Sequence, residues 1–170
     1  MNRKGLNFDE GKLIAECVEA AESTVPASQR LRHIHAVFSD NVDINEQLTL
    51  NVTRNKDAKD IASRTVTAKQ EGMSIAYCNL LFKEATACFE DPPGMIILTL
   101  RKNFRTNNLL SLESNIYIHE EHQADQQMLF ENDSTISEDG KVFTRGRLWS
   151  DDGKLILSAD KDSILMQDKK

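Results

Sequence analysis

Ala62-Ser63-Arg64-Thr65-Val66-Thr67-Ala68-Lys69-Gln70-Glu71-Gly72 and Phe143-Thr144-Arg145-Gly146-Arg147-Leu148-Trp149-Ser150-Asp151-Asp152-Gly153 read as two renderings of one unit. Arg64 and Arg145 lie 81 positions apart, and so do Gly72 and Gly153. In each copy a strand-like run meets a polar turn closed by glycine, and a second strand-like run follows, from Met73 to Phe82 and from Lys154 to Ser158. Two such runs joined by a glycine turn predict a hairpin. Leu48 with Leu129, and Ile75 with Ile156, fall at the same offset. The repetition predicts a pseudo-twofold unit, divided as residues 1–89 and 90–170, with its ligand at the seam between the copies.

Upstream of the first copy, residues 11–24 read as a helix. Leu13, Ile14, Cys17, Val18 and Ala21 make one apolar stripe, and Lys12, Glu16, Glu19 and Glu22 take the other face. Asn7 followed by Glu10 has capping-box character, and Pro26 closes the segment. His33–Phe38 and Gln47–Thr53 are strand candidates, the latter alternating Leu48, Leu50 and Val52 with polar residues. Residues 55–60 read as a solvated loop. In the second copy the strand candidates are Asn115–Glu120, Gln127–Glu131, Val142–Trp149 and Lys154–Ser158. Between the copies Pro92-Pro93-Gly94 leaves room only for a turn or two of helix at 85–90 and a short piece at 95–101. Phe143 and Trp149 are expected in the core.

With 39% apolar and 28% charged residues the composition is that of a globular protein. A net charge of −6 argues against a nucleic-acid surface, which needs a basic footprint. The longest apolar run, Met95–Leu100, is too short to span a membrane and leads into Arg101-Lys102. No secretory signal is visible at the N-terminus, and Cys17, Cys78 and Cys88 lack metal-type spacing, so reduced thiols in an intracellular protein are expected. His33 and His35 share a strand face. With His119 and His122 they find no cysteine or carboxylate at ligand spacing, so no metal and no cofactor is expected.

A helix followed by a long-stranded antiparallel sheet, twice over, points to an α+β double hotdog. Particular residues carry a resemblance to the acyl-CoA thioesterase II family. Gly11–Ile14 through Ala20–Pro26 resembles its first hotdog helix, and His33–Phe38 the strand that follows. Ser63–Gly72 resembles its Arg-bearing strand and Gln-x-Gly turn. Ser111–His119 is similar to its Ser/Thr-x-Asp-His segment, and Arg145-Gly146 with Asp152–Ser158 fits its final hairpin. The likeness runs from about Gly11 to Leu165 and marks a shortened, divergent member whose second helix is stunted.

The resemblance implies hydrolysis of fatty acyl-CoA to fatty acid and CoA, by a water that an Asp, a Ser or Thr, and a Gln orient against the thioester. Water is a poor nucleophile, so a carboxylate must take its proton while donors hold the developing oxyanion. Carried over, the hydroxyl falls on Ser111 and the Gln position on Lys161. The nearest carboxylates for the base are Glu90 and Asp91. His35, Arg64 and Arg145 are the candidate substrate contacts. The resemblance also implies an acyl-CoA ligand and a cytoplasmic or peroxisomal place, without a Ser-Lys-Leu type ending. A hotdog sheet with no helix to wrap leaves apolar surface exposed, so a homo-oligomer is expected. Because Lys161 stands where the family has Gln, a non-catalytic acyl-CoA-binding or assembly module is the alternative.

Overall fold

The computed structural model describes residues 10–39, 46–84, 109–122, 125–136 and 140–165. The elements in chain order are helix α1 (Glu10–Glu22) and strands β1 (Gln29–Phe38), β2 (Thr49–Asp57), β3 (Ile61–Gln70), β4 (Met73–Glu84), β5 (Leu109–Ile118), β6 (Met128–Ile136), β7 (Lys141–Ser150) and β8 (Leu155–Leu165). The eight strands form one sheet in the order β2-β3-β4-β1-β5-β8-β7-β6. Every neighbour pair is antiparallel. This is the α+β hotdog arrangement that the repeat predicted. The expected helical pieces at 85–90 and 95–101, and the expected division at residue 89, lie outside the described residues.

The predicted stripe packs α1 onto β3, β2 and β4. Leu13, Cys17, Val18 and Ala21 are buried against Ile34, Ala36, Ala62, Val66, Ala68, Ile75, Cys78, Leu80 and Phe82. A smaller cluster in the second half gathers Leu148, Ile156, Leu157 and Ala159. Ile116 and Ile118 of β5 pack against both clusters, so the two cores meet at the β1–β5 seam. β2 extends to Asp57, through residues expected to be loop. As an edge strand with a bulge between Arg54 and Lys56 it holds its pairing while exposing polar side chains.

The repeat is genuine, but its register differs from the one the glycines indicate. β1 pairs β5 with His35 opposite Asn115, flanked by His33 opposite Tyr117 and Val37 opposite Glu113. Moving each residue 80 positions along the chain maps this pairing onto itself, so the pseudo-twofold axis passes through His35 and Asn115. Irregularities recur at that spacing, at Leu31/His33 and Ser111/Glu113, and again at Ala68/Lys69 and Leu148/Trp149. Only β8 stands 81 positions after its counterpart β4.

The extra residue lies in the turn. Glu71 (φ 48°) and Gly72 (φ 80°) make a two-residue loop between Gln70 and Met73, with both central residues left-handed as a type I′ hairpin requires. The second loop has three residues, Asp151, Asp152 and Gly153 (φ 81°), closed by Gly153 N–H donating to Ser150 O at 3.1 Å.

A one-residue slip moves a strand's side chains to the other face. Hence Ile75 and Ile156 do correspond, both buried. Arg64, however, corresponds to Thr144 rather than Arg145, and Leu48 to Met128 rather than Leu129. For the same reason Phe143 and Trp149 are not core residues. Phe143 is 38% exposed, and Trp149 donates its indole N–H to Glu131 Oε2 at 3.2 Å on the outward face.

Candidate functional site

The inward positions of the two halves differ in chemical character. In the first half this face is apolar apart from Arg64 and the strand-end residues Gln29 and Gln70, and Leu31, Ile34, Val66, Leu80 and Phe82 line it. Their counterparts in the second half are Ser111, Ser114, Gly146, Lys161 and Ser163. The exchange is not scattered. Ser111 faces Ser163 across β5–β8, and Ser114 faces Lys161. Thr144 flanks Lys161 from β7, and Ser134 flanks Thr144 from β6. One row across four strands is therefore Ser114–Lys161–Thr144–Ser134, with Ser111 and Ser163 in the row beside it.

This patch is shielded from solvent. Ser111, Ser114, Thr144 and Ser163 are buried, and the Lys161 side chain is 12% exposed. Ser134 Oγ–H donates to Thr144 Oγ1 at 3.2 Å. Ser163 Oγ is buried and finds no partner among the described residues. Lys161 Nζ donates to Glu10 Oε2 in an ion pair, and the Glu10 side chain is 25% exposed. Glu10 is the first residue of α1, so the first half's helix delivers a carboxylate to the second half's sheet. An acidic group at that end is favoured by the helix dipole.

Buried hydroxyls and an ammonium cost free energy when left unpaired, and apolar side chains would fill the same positions without that cost. Chemically, the set offers hydroxyls that donate or accept, a cation that donates, and a carboxylate that accepts. Those are the parts a hydrolytic water needs.

The structure thus places Ser111 and Lys161 on one face, one pairing apart along neighbouring strands. Glu90 and Asp91 lie outside the described residues. Glu10 was read from the sequence only as a cap, because nothing in a linear pattern links it to Lys161, 151 positions away.

The three expected substrate contacts lie elsewhere. His35 is on the seam but faces outward, with Nε2 at 3.4 Å from Glu113 Oε2. Beside it, burial holds the His33 imidazole below the ordinary histidine range, against the pull of a hydrogen bond with Asn115. His33 stacks on Tyr117 with ring centroids 4.5 Å apart. Arg145 also faces outward, donating to Asp160 Oδ1 at 3.0 Å.

Arg64 points inward and is 0% exposed. Its Nε–H donates to Thr24 Oγ1 at 2.7 Å. The Nη1 hydrogens donate to Lys56 O and Ser63 O, each at 2.9 Å, and the Nη2 hydrogens to Thr24 O at 2.9 Å and to Asp57 Oδ1. All five guanidinium donors are engaged within the protein. Arg64 ties the end of α1 to β2 and β3 and has no donor to spare for a substrate.

Among the described residues no helix is long and apolar enough to cross a membrane, and no group of three or more His, Cys, Asp or Glu could hold a metal ion.

Comparison with known proteins adds to this geometry. Residues 11–89 match the family model described as acyl-CoA thioesterase N-terminal domain. The fold is similar to that of the acyl-CoA thioesterase II TesB2 from Mycobacterium marinum. That likeness has a TM-score of 0.79 at 14% identity, covering 95% of this chain and 90% of that one. It is also similar to the tesB protein of Mycobacterium avium subs paratuberculosis, with a TM-score of 0.76 at 12% identity over 93% and 87% of the two chains. A hot dog fold protein of unknown function from Alicyclobacillus acidocaldarius gives a TM-score of 0.76 at 9% identity over 98% and 90%. No curated protein sequence matches the chain. Residues 11–89 therefore match the acyl-CoA thioesterase N-terminal domain, in a chain whose described residues share the fold of double hotdog thioesterase II structures.

Proposed function

We propose that this chain hydrolyses the thioester of an acyl-CoA on the inward face of its second half. The observation that carries the reading is the contiguous exchange of apolar for polar side chains around Lys161, in a fold shared with thioesterase II structures. In this reading the Lys161 ammonium donates to the thioester carbonyl oxygen and stabilises the charge that develops there. The Ser111 hydroxyl orients the attacking water. Water adds to the carbonyl carbon, the C–S bond breaks, and the products are a free carboxylic acid and CoA. A preorganised donor in a site largely shielded from solvent is worth on the order of 100- to 1,000-fold in rate. An ammonium in place of the family's amide supplies charge instead of a paired donor and acceptor.

Thiol release from a panel of short- to long-chain acyl-CoAs, run beside Ser111→Ala, tests this. Release that falls sharply in the variant is expected. A folded wild-type protein that releases thiol from none of the panel would overturn the hydrolase reading. It would favour the second one, an acyl-CoA-binding or assembly module, to which the Lys161–Glu10 ion pair would contribute as a structural link between the halves.

A further inference from the structure

We propose that Glu10 is the general base of this reaction, supplied to the second half's site by the first half's helix; the inference rests on the thioesterase reading above. Three observations carry it. Glu10 is the only carboxylate among the described residues in contact with the polar inward patch, through Oε2 on Lys161 Nζ. The remaining polar groups of the patch, Ser111, Ser114, Thr144 and Ser163, are hydroxyls, which ionise far above neutral pH and cannot take a proton from water unaided. Glu10 is also partly exposed, so solvent can reach it, whereas the hydroxyls beneath are buried.

A carboxylate offers about four lone-pair sites, and Lys161 occupies one of them. A water held on the others stands beside the ammonium that would polarise the thioester oxygen. The proton inventory closes without any further reactant. Glu10 takes one proton from the attacking water as its oxygen bonds to the carbonyl carbon. Electrons move to the carbonyl oxygen, held by Lys161. The tetrahedral intermediate collapses, the C–S bond breaks, and Glu10 returns its proton to the departing thiolate. The new carboxylic acid ionises into solvent.

The geometry also assigns the halves different tasks. The first half packs a core and presents α1; the second presents the hydroxyls and the ammonium. Neither holds the full set among its described residues.

The test is Glu10→Gln, whose amide oxygen still accepts from Lys161 but cannot take a proton. Hydrolysis should fall at least about 100-fold in kcat with KM little changed, and the acid limb of the wild-type kcat/KM profile should vanish. Formate added to Glu10→Ala should restore part of the rate, which a merely structural carboxylate would not allow. Thermal unfolding of both variants checks that they fold.

A Glu10→Gln protein that hydrolyses at the wild-type rate overturns the inference and leaves the thioesterase reading standing. So does a fall in rate that keeps the acid limb and gains nothing from formate. A wild-type protein without thiol release overturns both.

Discussion

Replacing Arg64 by Met should destabilise the fold far more than an ordinary surface change. The methionine stem occupies much of the space but supplies none of the five hydrogen bonds. Asp57 is 55% exposed and recovers water when its partner leaves. The loss therefore falls on the groups that met the guanidinium: the carbonyls of Thr24, Lys56 and Ser63, and the Thr24 hydroxyl, which keeps only its bond to Ala21 O. Each buried group left unpaired costs about 1–3 kcal/mol. Water entering part of the vacated space offsets some of this, so the net cost is about 3–5 kcal/mol. For a chain of this length about 2–4 °C of Tm goes with each kcal/mol, which predicts a drop on the order of 10 °C. Thermal and urea unfolding followed by circular dichroism measure it. Asp57→Asn keeps an acceptor for Nη2 but leaves the buried guanidinium without its counter-charge, so it should cost about 1–3 kcal/mol, less than Arg64→Met. If Arg64→Met lies within about 1 kcal/mol of wild type, the account of Arg64 as the tie between α1 and the sheet is refuted.

The lowered pKa of His33 makes stability pH-dependent with a definite sign. Because burial disfavours the charged ring, the unfolded chain takes up this proton at higher pH than the folded one, so stability falls as pH drops through about 6.5. His33→Phe, which keeps a ring against Tyr117, should flatten that part of the curve. Equal acid sensitivity of urea midpoints in both proteins would contradict it. Cys17 and Cys78 are buried, unbridged thiols, and the hydrogen bond with Cys17 together with burial pushes the Cys78 thiol up. Neither should react with a thiol reagent in the native protein, and both should react in denaturant, as peptide mapping after labelling would show.

How much was legible in the sequence differs between the halves. α1 was readable because Leu13, Cys17, Val18 and Ala21 repeat at helical spacing over an uninterrupted stretch. β3 and β4 were readable because alternation and a glycine turn agree. β8 was visible only to Ser158, yet it runs to Leu165. From Ser158 to Ser163 its inward residues are Ala159, Lys161 and Ser163, and no apolar alternation remains to be seen. The residues that hide this strand from a hydrophobic pattern are those that mark the candidate site. Local rules fail where polar side chains occupy inward positions, and function is the common reason for such exceptions.

The pairing of Arg64 with Arg145 failed for a different reason. Identical residues at a constant offset looked like a register, but a single inserted turn residue separates the offset of the glycine from that of the strand before it. Chain periodicity of two makes that one residue decisive. Glu10 was out of reach altogether, since its link to Lys161 exists only once the two halves share a sheet.

The most direct test of the central claim, that the polar patch exists for chemistry rather than for the fold, is Lys161→Leu. This change restores the residue type that stands at the matching place in the first half, Leu80. Thiol release and Tm measured on the same preparation decide the matter. The account predicts that acyl-CoA hydrolysis falls by about 100-fold or more while Tm falls by no more than about 5 °C, since leucine fills the place and the Glu10 carboxylate left behind is one-quarter exposed and can hydrate. Undiminished hydrolysis together with a larger fall in Tm would show Lys161 to be a structural residue and would contradict the account.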